Sequence, residues 1–368
     1  MARFSAPGKL FISGEWAILD VGNRGVVAAG NNRVHVTVQE LGGYEGISIT
    51  APEFSVVDGR AKFINGKIVF MNLDEKTKET MKLLAAALQT ALVFATEKGH
   101  AFKPFKISTS SKETRIVVDG VAKKIGFGSS AAVVVATVAA VLDYLGCTTS
   151  KEEIYKLSTI AHFYAQGKVG SAFDVAASTY GGVFIYSRFD PVWLTKQMES
   201  TKPLAAIVSE QWPGLFIEPL MLPNDLKLVV GWTKESASTS AMIKQLDVFK
   251  QSQPERYKTL MNDIAATARS VEVAWKQDNK ERIIGLLQNN EKLLRQLTQA
   301  SGVSIETPEL KLLSDIAAKH NAGGKLSGAG GGDCGIAICY DDATARKIRN
   351  DWKATGLYPL DVTIDRDG

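Results

Sequence analysis

Three glycine-bearing stretches hold the residues whose types and spacing suit phosphate chemistry. Near the start stands Ala6-Pro7-Gly8-Lys9-Leu10, with Gly14-Glu15 soon after. Gly8 allows a tight turn, and Lys9 then sets a compact positive charge beside an apolar strand, the kind of charge that phosphate takes as a partner. In mid-chain, Gly126-Phe127-Gly128-Ser129-Ser130-Ala131-Ala132 leads into a long apolar run. Backbone N–H groups at such a turn converge on an anion, and the N-terminus of the following helix adds positive potential. The hydroxyls of Ser129 and Ser130 can reach phosphate or a metal ion. Near the end, Ser327-Gly328-Ala329-Gly330-Gly331-Gly332-Asp333 makes a loop able to close on a ligand backbone-first.

Each stretch also has a plainer reading: a surface lysine before a strand, a glycine turn capped by serine, and a mobile turn between helix and strand. A dinucleotide fold is a sharper rival, since Gly126, Gly128 and Ala131 fit GxGxxA. That fingerprint belongs after an early apolar strand, whereas here it follows Lys123-Lys124 deep in the chain. Gly330, Gly332 and Gly335 fit GxGxxG as well, but a strand follows them where a helix is required. No Walker A loop is present.

The elements that must carry these stretches read as mixed α and β. Strands are expected at Val34–Val38, Gly46–Thr50, Lys67–Met71, Phe105–Thr109, Arg115–Val118, Gly181–Tyr186, Leu226–Val230 and Gly335–Cys339. Helical spacing marks Glu79–Ala95, Ser129–Leu145 stopping at Gly146, Lys151–Tyr164, Ser238–Val248, Tyr257–Gln277, Lys280–Thr298 and Pro308–His320. Ser150 and Glu153 form a capping-box pair before one of them. Asp119–Lys124 reads as a polar approach to the second glycine stretch. Asp190–Pro223 is proline-rich and irregular, so the domain boundary is expected there, dividing the chain into 1–195 and 196–368. The class is α+β in two domains.

The 368 residues suffice for two domains, and 45% hydrophobic with 22% charged residues is ordinary for a folded protein. A net charge of +4 argues for no nucleic-acid partner. Cys147, Cys334 and Cys339 form neither a CxxC pair nor a zinc spacing, which suits a reducing cytoplasm. The start lacks the apolar stretch of a signal peptide. The apolar run Ala131–Leu142 is too short to span a bilayer and is expected as a buried helix.

In this order the three stretches resemble the motifs of the GHMP kinases, the family of galactokinase, homoserine kinase and mevalonate kinase. Within it, Ala165–Ser178, Gly231–Lys234 with Ser236–Ser240, and Ser327–Gly335 look like the phosphomevalonate kinase branch. The resemblance covers nearly the whole chain. It implies an N-terminal ribosomal-S5-like domain and a C-terminal ferredoxin-like domain with the site between them, and ATP with Mg²⁺ acting on 5-phosphomevalonate. Gly126, Phe127, Gly128, Ser129, Ser130 and Ala131 would wrap the ATP phosphates, with Ser130 near the metal. Lys9 and Asp174 would pair beside the transferred group. Lys9, Ser171, Ala172, Ser238, Thr239, Gly328, Ala329, Gly330 and Gly331 would bind the acceptor. Lys123, Lys124, Lys168 and Lys234 are candidates for its phosphate. The protein is expected to be a cytoplasmic monomer or homodimer, with no nucleic-acid or membrane partner.

Three positions depart from the family pattern. Phe127 replaces a leucine and keeps an apolar anchor. Ala172 replaces the glycine of SGFD, a strained substitution if that position needs positive φ. His162 stands near a position where mevalonate and homoserine kinases carry a metal-binding glutamate, and a packed histidine is its plainer reading. Alternatives are another GHMP member such as mevalonate kinase or a mevalonate-phosphate decarboxylase, a silent GHMP-fold sensor, and a nucleotide-dependent oxidoreductase.

Overall fold

In the computed structural model, which describes residues 1–118, 121–235 and 239–367 and gives only the backbone of 114–118 and 121–124, the chain opens on two long strands. These are β1 (Ala2–Ser13) and β2 (Gly25–Glu40). There follow β3 (Ile47–Ala51), β4 (Val56–Ile64), β5 (Lys67–Phe70), α1 (Glu75–Thr80), α2 (Lys82–Glu97) and β6 (Phe105–Ser110). A hairpin of β7 (Arg115–Val118) and β8 (Val121–Lys124) precedes α3 (Ser129–Tyr144), α4 (Lys151–Ala165), α5 (Phe173–Tyr180) and β9 (Val183–Ser187). Next come α6 (Pro191–Met198), α7 (Leu204–Ser209), β10 (Phe216–Leu220) and β11 (Lys227–Trp232). The last part holds α8 (Thr239–Ser252), α9 (Pro254–Lys276), α10 (Lys280–Ser301), α11 (Pro308–Lys319), β12 (Gly323–Leu326), β13 (Cys334–Cys339), α12 (Asp342–Ala354) and β14 (Tyr358–Leu360).

A large sheet runs β10-β9-β2-β6-β3-β4-β5, with β1 paired to β2. A smaller antiparallel sheet runs β12-β13-β11-β14. Helix α3 is buried almost end to end and packs on β1, β2 and α2. Its five valines are weaker helix formers than its five alanines, and burial along the helix overrides that weakness. The expected capping box before α4 is present: Ser150 Oγ accepts from Glu153 N (3.2 Å) and Glu153 Oε2 from Ser150 N (2.9 Å).

Several expectations needed correction. Strand β2 starts at Gly25, well before Val34, and β4, β12, α12 and β14 were not foreseen. The polar approach to the second glycine stretch contains β8. The region 190–223 is ordered: Asp190 caps α6 at Val192 N (2.8 Å) with Pro191 in the first turn, α7 follows, and β10 pairs antiparallel with β9. The expected division after residue 195 thus falls inside α6, and the chain leaves the large sheet only after Leu220. Pro191 and Pro203 sit at helix starts and Pro219 on an edge strand, where no donor is missed, while Pro213 and Pro223 lie in the connections between elements.

The two sheets are joined by a buried polar seam. Ser327 Oγ accepts from Phe11 N (2.8 Å) and donates to Phe11 O (3.1 Å), while Ser13 Oγ donates to Asn290 Oδ1 (2.5 Å). The ammonium of Lys325, wholly buried, pairs with Glu15 and donates to Leu326 O (2.5 Å). The last residues return across β2: Gly182 N donates to Asp365 O (2.6 Å), Asp365 N to Ala29 O (2.9 Å), and Arg33 pairs with Asp365 (2.5 Å).

Beside this seam, burial pushes the Glu291 carboxyl up to about 8, helped by Glu306 and opposed by Lys325. The folded chain therefore keeps a proton that the unfolded chain releases above its ordinary value of 4.5. Stability should fall as pH rises through that window. Glu291→Gln keeps an acceptor for Leu326 N and should flatten the fall by at least about 1.4 kcal/mol, one pKa unit's worth. Urea unfolding at pH 5 and 8 checks this; an unchanged slope in the variant refutes it.

Candidate active site

Lys9 is placed by a bulge. The β1–β2 ladder shifts between Pro7 and Gly8, leaving Asn31 and Asn32 of β2 unpaired, so the strand turns as it reaches Lys9. Lys9 N then leaves the ladder's path to donate to Phe127 O (2.7 Å), which ties β1 to the second glycine stretch. A Cβ at Gly8 would lie 2.7 Å from that same oxygen, so only glycine allows this approach. Phe127 is buried in a core shared with Leu10, Ile12 and Ile336, and so keeps the anchoring role expected of it.

Gly128 opens α3 in the left-handed region (φ 78°). A Cβ there would lie 2.7 Å from Lys9 Cγ and 3.7 Å from Asp174 Cβ. The lysine stem thus lies across the glycine, with its ammonium 5.8 Å from the centre of the Phe173 ring. A Cβ on Gly328 would come within 3.2 Å of Lys9 Nζ. All three glycine-bearing stretches therefore meet around one lysine side chain.

Asp174 stands in the first turn of α5, after Ala172 in the left-handed conformation (φ 59°, ψ 22°). The missing glycine is thus replaced at a position that does require positive φ, at a cost of about 1–2 kcal/mol. Asp174 Oδ1 accepts from Val175 N (3.0 Å), and Oδ2 lies 3.9 Å from His162 Nε2. His162 is buried, 3.5 Å from Ser130 Oγ and 3.0 Å from Gln166 Nε2. Among the described residues, the basic side chain within 4.0 Å of Asp174 is that of His162, and the expected pair between Lys9 and Asp174 is not formed. Ser178 of α5 donates to Pro7 O (2.8 Å), which fixes that helix to the bulge beside Lys9.

These groups line a cleft of about 330 Å³ between the two sheets. Of the residues expected from sequence, Lys9, Gly126, Gly128, Ser130, Ser171, Ala172, Asp174, Thr239, Gly328 and Ala329 line it. Phe127, Ser129 and Ala131 are buried behind it. Gly330 and Gly331 stand back from it: Gly331 N donates to Ile305 O (2.8 Å), and a Cβ on Gly330 would lie 2.1 Å from that oxygen. Ser238 and Ser236 lie outside the described residues, as do the side chains of Lys123 and Lys124. Lys168 pairs instead with Glu199 (3.3 Å), and neither it nor Lys234 lines the cleft.

Sequence reading gives no role to Asp333, the last residue of the third stretch, yet its carboxylate covers Gly126: a Cβ there would lie 2.2 Å from Asp333 Cγ. Nor does it give one to Glu15, quoted beside the first stretch, whose buried carboxyl is raised above its ordinary value by desolvation, with Lys325 working against the shift. Glu15, Trp16 and Ile243 close the floor of the cleft. Asp333 and Glu15 stand within quoted stretches and Trp16 directly after one, but what each meets, like the partner face of the helix carrying Ile243, is set only by tertiary packing.

The family model for the GHMP kinases N terminal domain matches residues 82–182, and that for the GHMP kinases C terminal matches 277–356. The phosphomevalonate kinase of Streptomyces sp. (strain CL190) is 31% identical over 372 residues, covering 99% of this chain and 97% of its own. The mevalonate kinase of Pyrococcus furiosus is 29% identical, covering 99% and 96%. The solved structure of Streptococcus pneumoniae phosphomevalonate kinase in complex with phosphomevalonate and AMPPNP superposes with a TM-score of 0.83 at 26% identity, covering 99% of this chain and all of that one. The chain belongs to the GHMP kinases.

Gly126→Ala tests the crowding at the anion loop. The added methyl must displace the Asp333 carboxylate or the loop itself, and shifts of this size cost about tenfold or more in rate. The expected result is a fall of at least that factor in kcat/KM for ATP with a melting temperature within a few degrees of wild type. A value within twofold of wild type contradicts the crowded geometry.

Proposed function

We propose that this protein transfers the γ-phosphoryl group of ATP to the phosphate of 5-phosphomevalonate, giving 5-diphosphomevalonate and ADP. The observation that carries this is full-length likeness: 31% identity to a phosphomevalonate kinase across 99% of the chain. The cleft supports it from below, since Lys9, the α3 N-terminus and Asp174 converge where a phosphoryl group would pass. The chain would act in the cytoplasm as a monomer or homodimer. Its three cysteines carry no disulfide, and no described helix is long and apolar enough to cross a membrane.

Phosphoryl transfer asks the protein for positioning and for cancellation of negative charge more than for covalent chemistry. Backbone N–H groups at Gly128–Ser130 would hold ATP phosphates on the positive end of α3. Lys9 would stay beside the transferring group, held there by its backbone bond to Phe127 and by the space left at Gly128 and Gly328. Thr239 and Ser240, at the start of α8 on the opposite wall, would take the acceptor's phosphate or carboxylate.

Mg²⁺ takes oxygen donors, usually one or two carboxylates with substrate phosphates and water completing its shell. Ser130 Oγ and Asp174 fit that set, both within 3.9 Å of His162 Nε2. When bound, the ion would supply charge neutralisation between the phosphates. Among the described residues no larger cluster of His, Cys, Asp or Glu is gathered, which suits an ion held largely by its substrate.

The acceptor's attacking oxygen belongs to a phosphomonoester with a second pKa of about 6. It is already ionised at neutral pH, so Asp174 would have no proton to remove and would act by placing cations. ADP release measured with mevalonate, 5-phosphomevalonate, homoserine and galactose decides the substrate. A preference of about tenfold for unphosphorylated mevalonate, or 1.4 kcal/mol, would establish the activity of the Pyrococcus relative in place of this one. Lys9→Met should lower kcat by about a hundredfold while leaving the melting temperature nearly unchanged. Near-normal turnover in the folded variant would remove Lys9 from the chemistry.

A further inference from the structure

The loop that delivers Asp174 is an awkward piece of backbone. Between α4 and α5, Gly167, Lys168, Gly170 and Ala172 all have positive φ (77°, 65°, 98° and 59°). Two of these are not glycine, so local preference works against the conformation. Something outside the loop must hold it. The carbonyl of Ser171, buried just before Ala172, accepts a hydrogen bond from Tyr186 Oη at 2.5 Å. Tyr186 Oη is in turn 2.9 Å from Tyr155 Oη. A phenol has one proton, and that of Tyr186 is committed to a carbonyl that can only accept. The proton between the two phenols therefore belongs to Tyr155, and the bonds run in one direction: Tyr155 to Tyr186 to the Ser171 carbonyl.

We propose that Tyr186, with Tyr155 behind it, is a positioning residue for the transfer, holding the Ser171–Ala172 backbone so that Asp174 lines the same cleft as Lys9 and Ser130. This rests on the reading of Asp174 given above. Both phenols are fully buried. Burial raises both above the ordinary tyrosine value, so both remain protonated donors at any working pH. Aligned bonds of this kind polarise one another, which strengthens the terminal bond to Ser171. The relay also sits on the right elements. Tyr155 and His162 share one face of α4 at helical spacing, so the helix that backs the tyrosine relay also places His162 beside Asp174. Tyr186 lies on β9, in register with Gly25 of β2 and Ile217 of β10, in the interior of the large sheet. Two residues on, Arg188 donates to Leu19 O (2.9 Å) on the other wall of the cleft. The end of β9 thus props both walls.

Three variants test the relay: Tyr186→Phe, Tyr155→Phe, and Ile348→Val, a truncation in the core behind the small sheet that serves as a stability control. Turnover is measured alongside amide hydrogen exchange in residues 167–173 without substrate. Tyr186→Phe should lower kcat by about tenfold to a hundredfold, leave KM for ATP within about twofold, and speed exchange in the loop. Tyr155→Phe, which weakens the relay but spares the bond to Ser171, should lower kcat about threefold with a smaller rise in exchange. Ile348→Val should lose melting temperature without either effect. If Tyr186→Phe keeps kcat within twofold, or loses no more than Ile348→Val does, the relay is refuted. If Tyr186→Phe does not fold, a Tyr155→Phe protein with full kcat and unaltered loop exchange refutes it equally. Should wild type give no ADP from 5-phosphomevalonate, the functional reading fails while exchange still judges the relay.

Discussion

The cleft depends on where strand β1 sits. That strand carries Lys9, and its remaining backbone is held from both halves of the molecule. Phe127 of the anion loop takes Lys9 N, Ser327 of the third glycine stretch takes both polar groups of Phe11, and Asn290 takes Ser13. None of these contacts tolerates a large shift, because the approach is backbone to backbone or through a short hydroxyl. The glycines at 8, 128 and 328 follow from this: each stands where a Cβ would press on Lys9 or its immediate support. The three motifs are thus one constraint expressed at three distant points of the chain, a space around a lysine that no side chain may enter.

A second consequence is electrostatic. The seam that joins the two sheets buries charge, with Glu15 and Lys325 paired out of water. Such a pair adds little net stability over an apolar one, but removing one partner is costly, of the order of 3–5 kcal/mol. The pair ties β12, which leads into the third glycine stretch, to the segment following β1, and both lead to residues that line the cleft. Toward solvent the cleft then presents carboxylates as well as a lysine: Asp174 on one wall and Asp333 over Gly126. A site for polyanions that carries its own anions is suited to ligands arriving with cations. That would suit a metal ion held at Ser130 and Asp174, as proposed above.

What could be read from the sequence was local. The Ser150–Glu153 box, the glycine turn before α3 and the long amphipathic helices all depend on residues within one or two turns of each other, and each was where its pattern put it. Asp174 and Lys9 were legible as members of motifs. Strands β4 and β12 were not, because Asp58, Gly59, Gly323 and Gly324 break the alternation that marks a strand; they are strands only because neighbours pair with them. The prolines of 190–223 suggest a boundary because proline usually punctuates, yet Pro191 and Pro203 open helices and Pro219 lies on an edge strand. The residues that hold the site were the least legible of all. Asp333 meets Gly126, Lys325 meets Glu15, and Tyr186 meets Ser171 across separations that no local pattern encodes.

This division has a physical reason that bears on Ala172. A motif specifies what touches the ligand, and ligands demand few residue types. The support behind it need only supply a donor or a volume at the right place, so many residue types serve. A glycine at position 172 would reach the left-handed conformation unaided and would need less from its surroundings. With alanine there, the strain must be met by contacts that make every other conformation worse. The buried bond from Tyr186 to the adjacent carbonyl is one such contact, since any backbone turn that relaxed Ala172 would carry the Ser171 oxygen away from its donor and leave it buried and unpaired, at about 1–3 kcal/mol. That cost is comparable to the strain itself, about 1–2 kcal/mol. Departure from the family pattern at Ala172 and the tyrosine relay behind it are therefore coupled: the first can be tolerated because the second is in place.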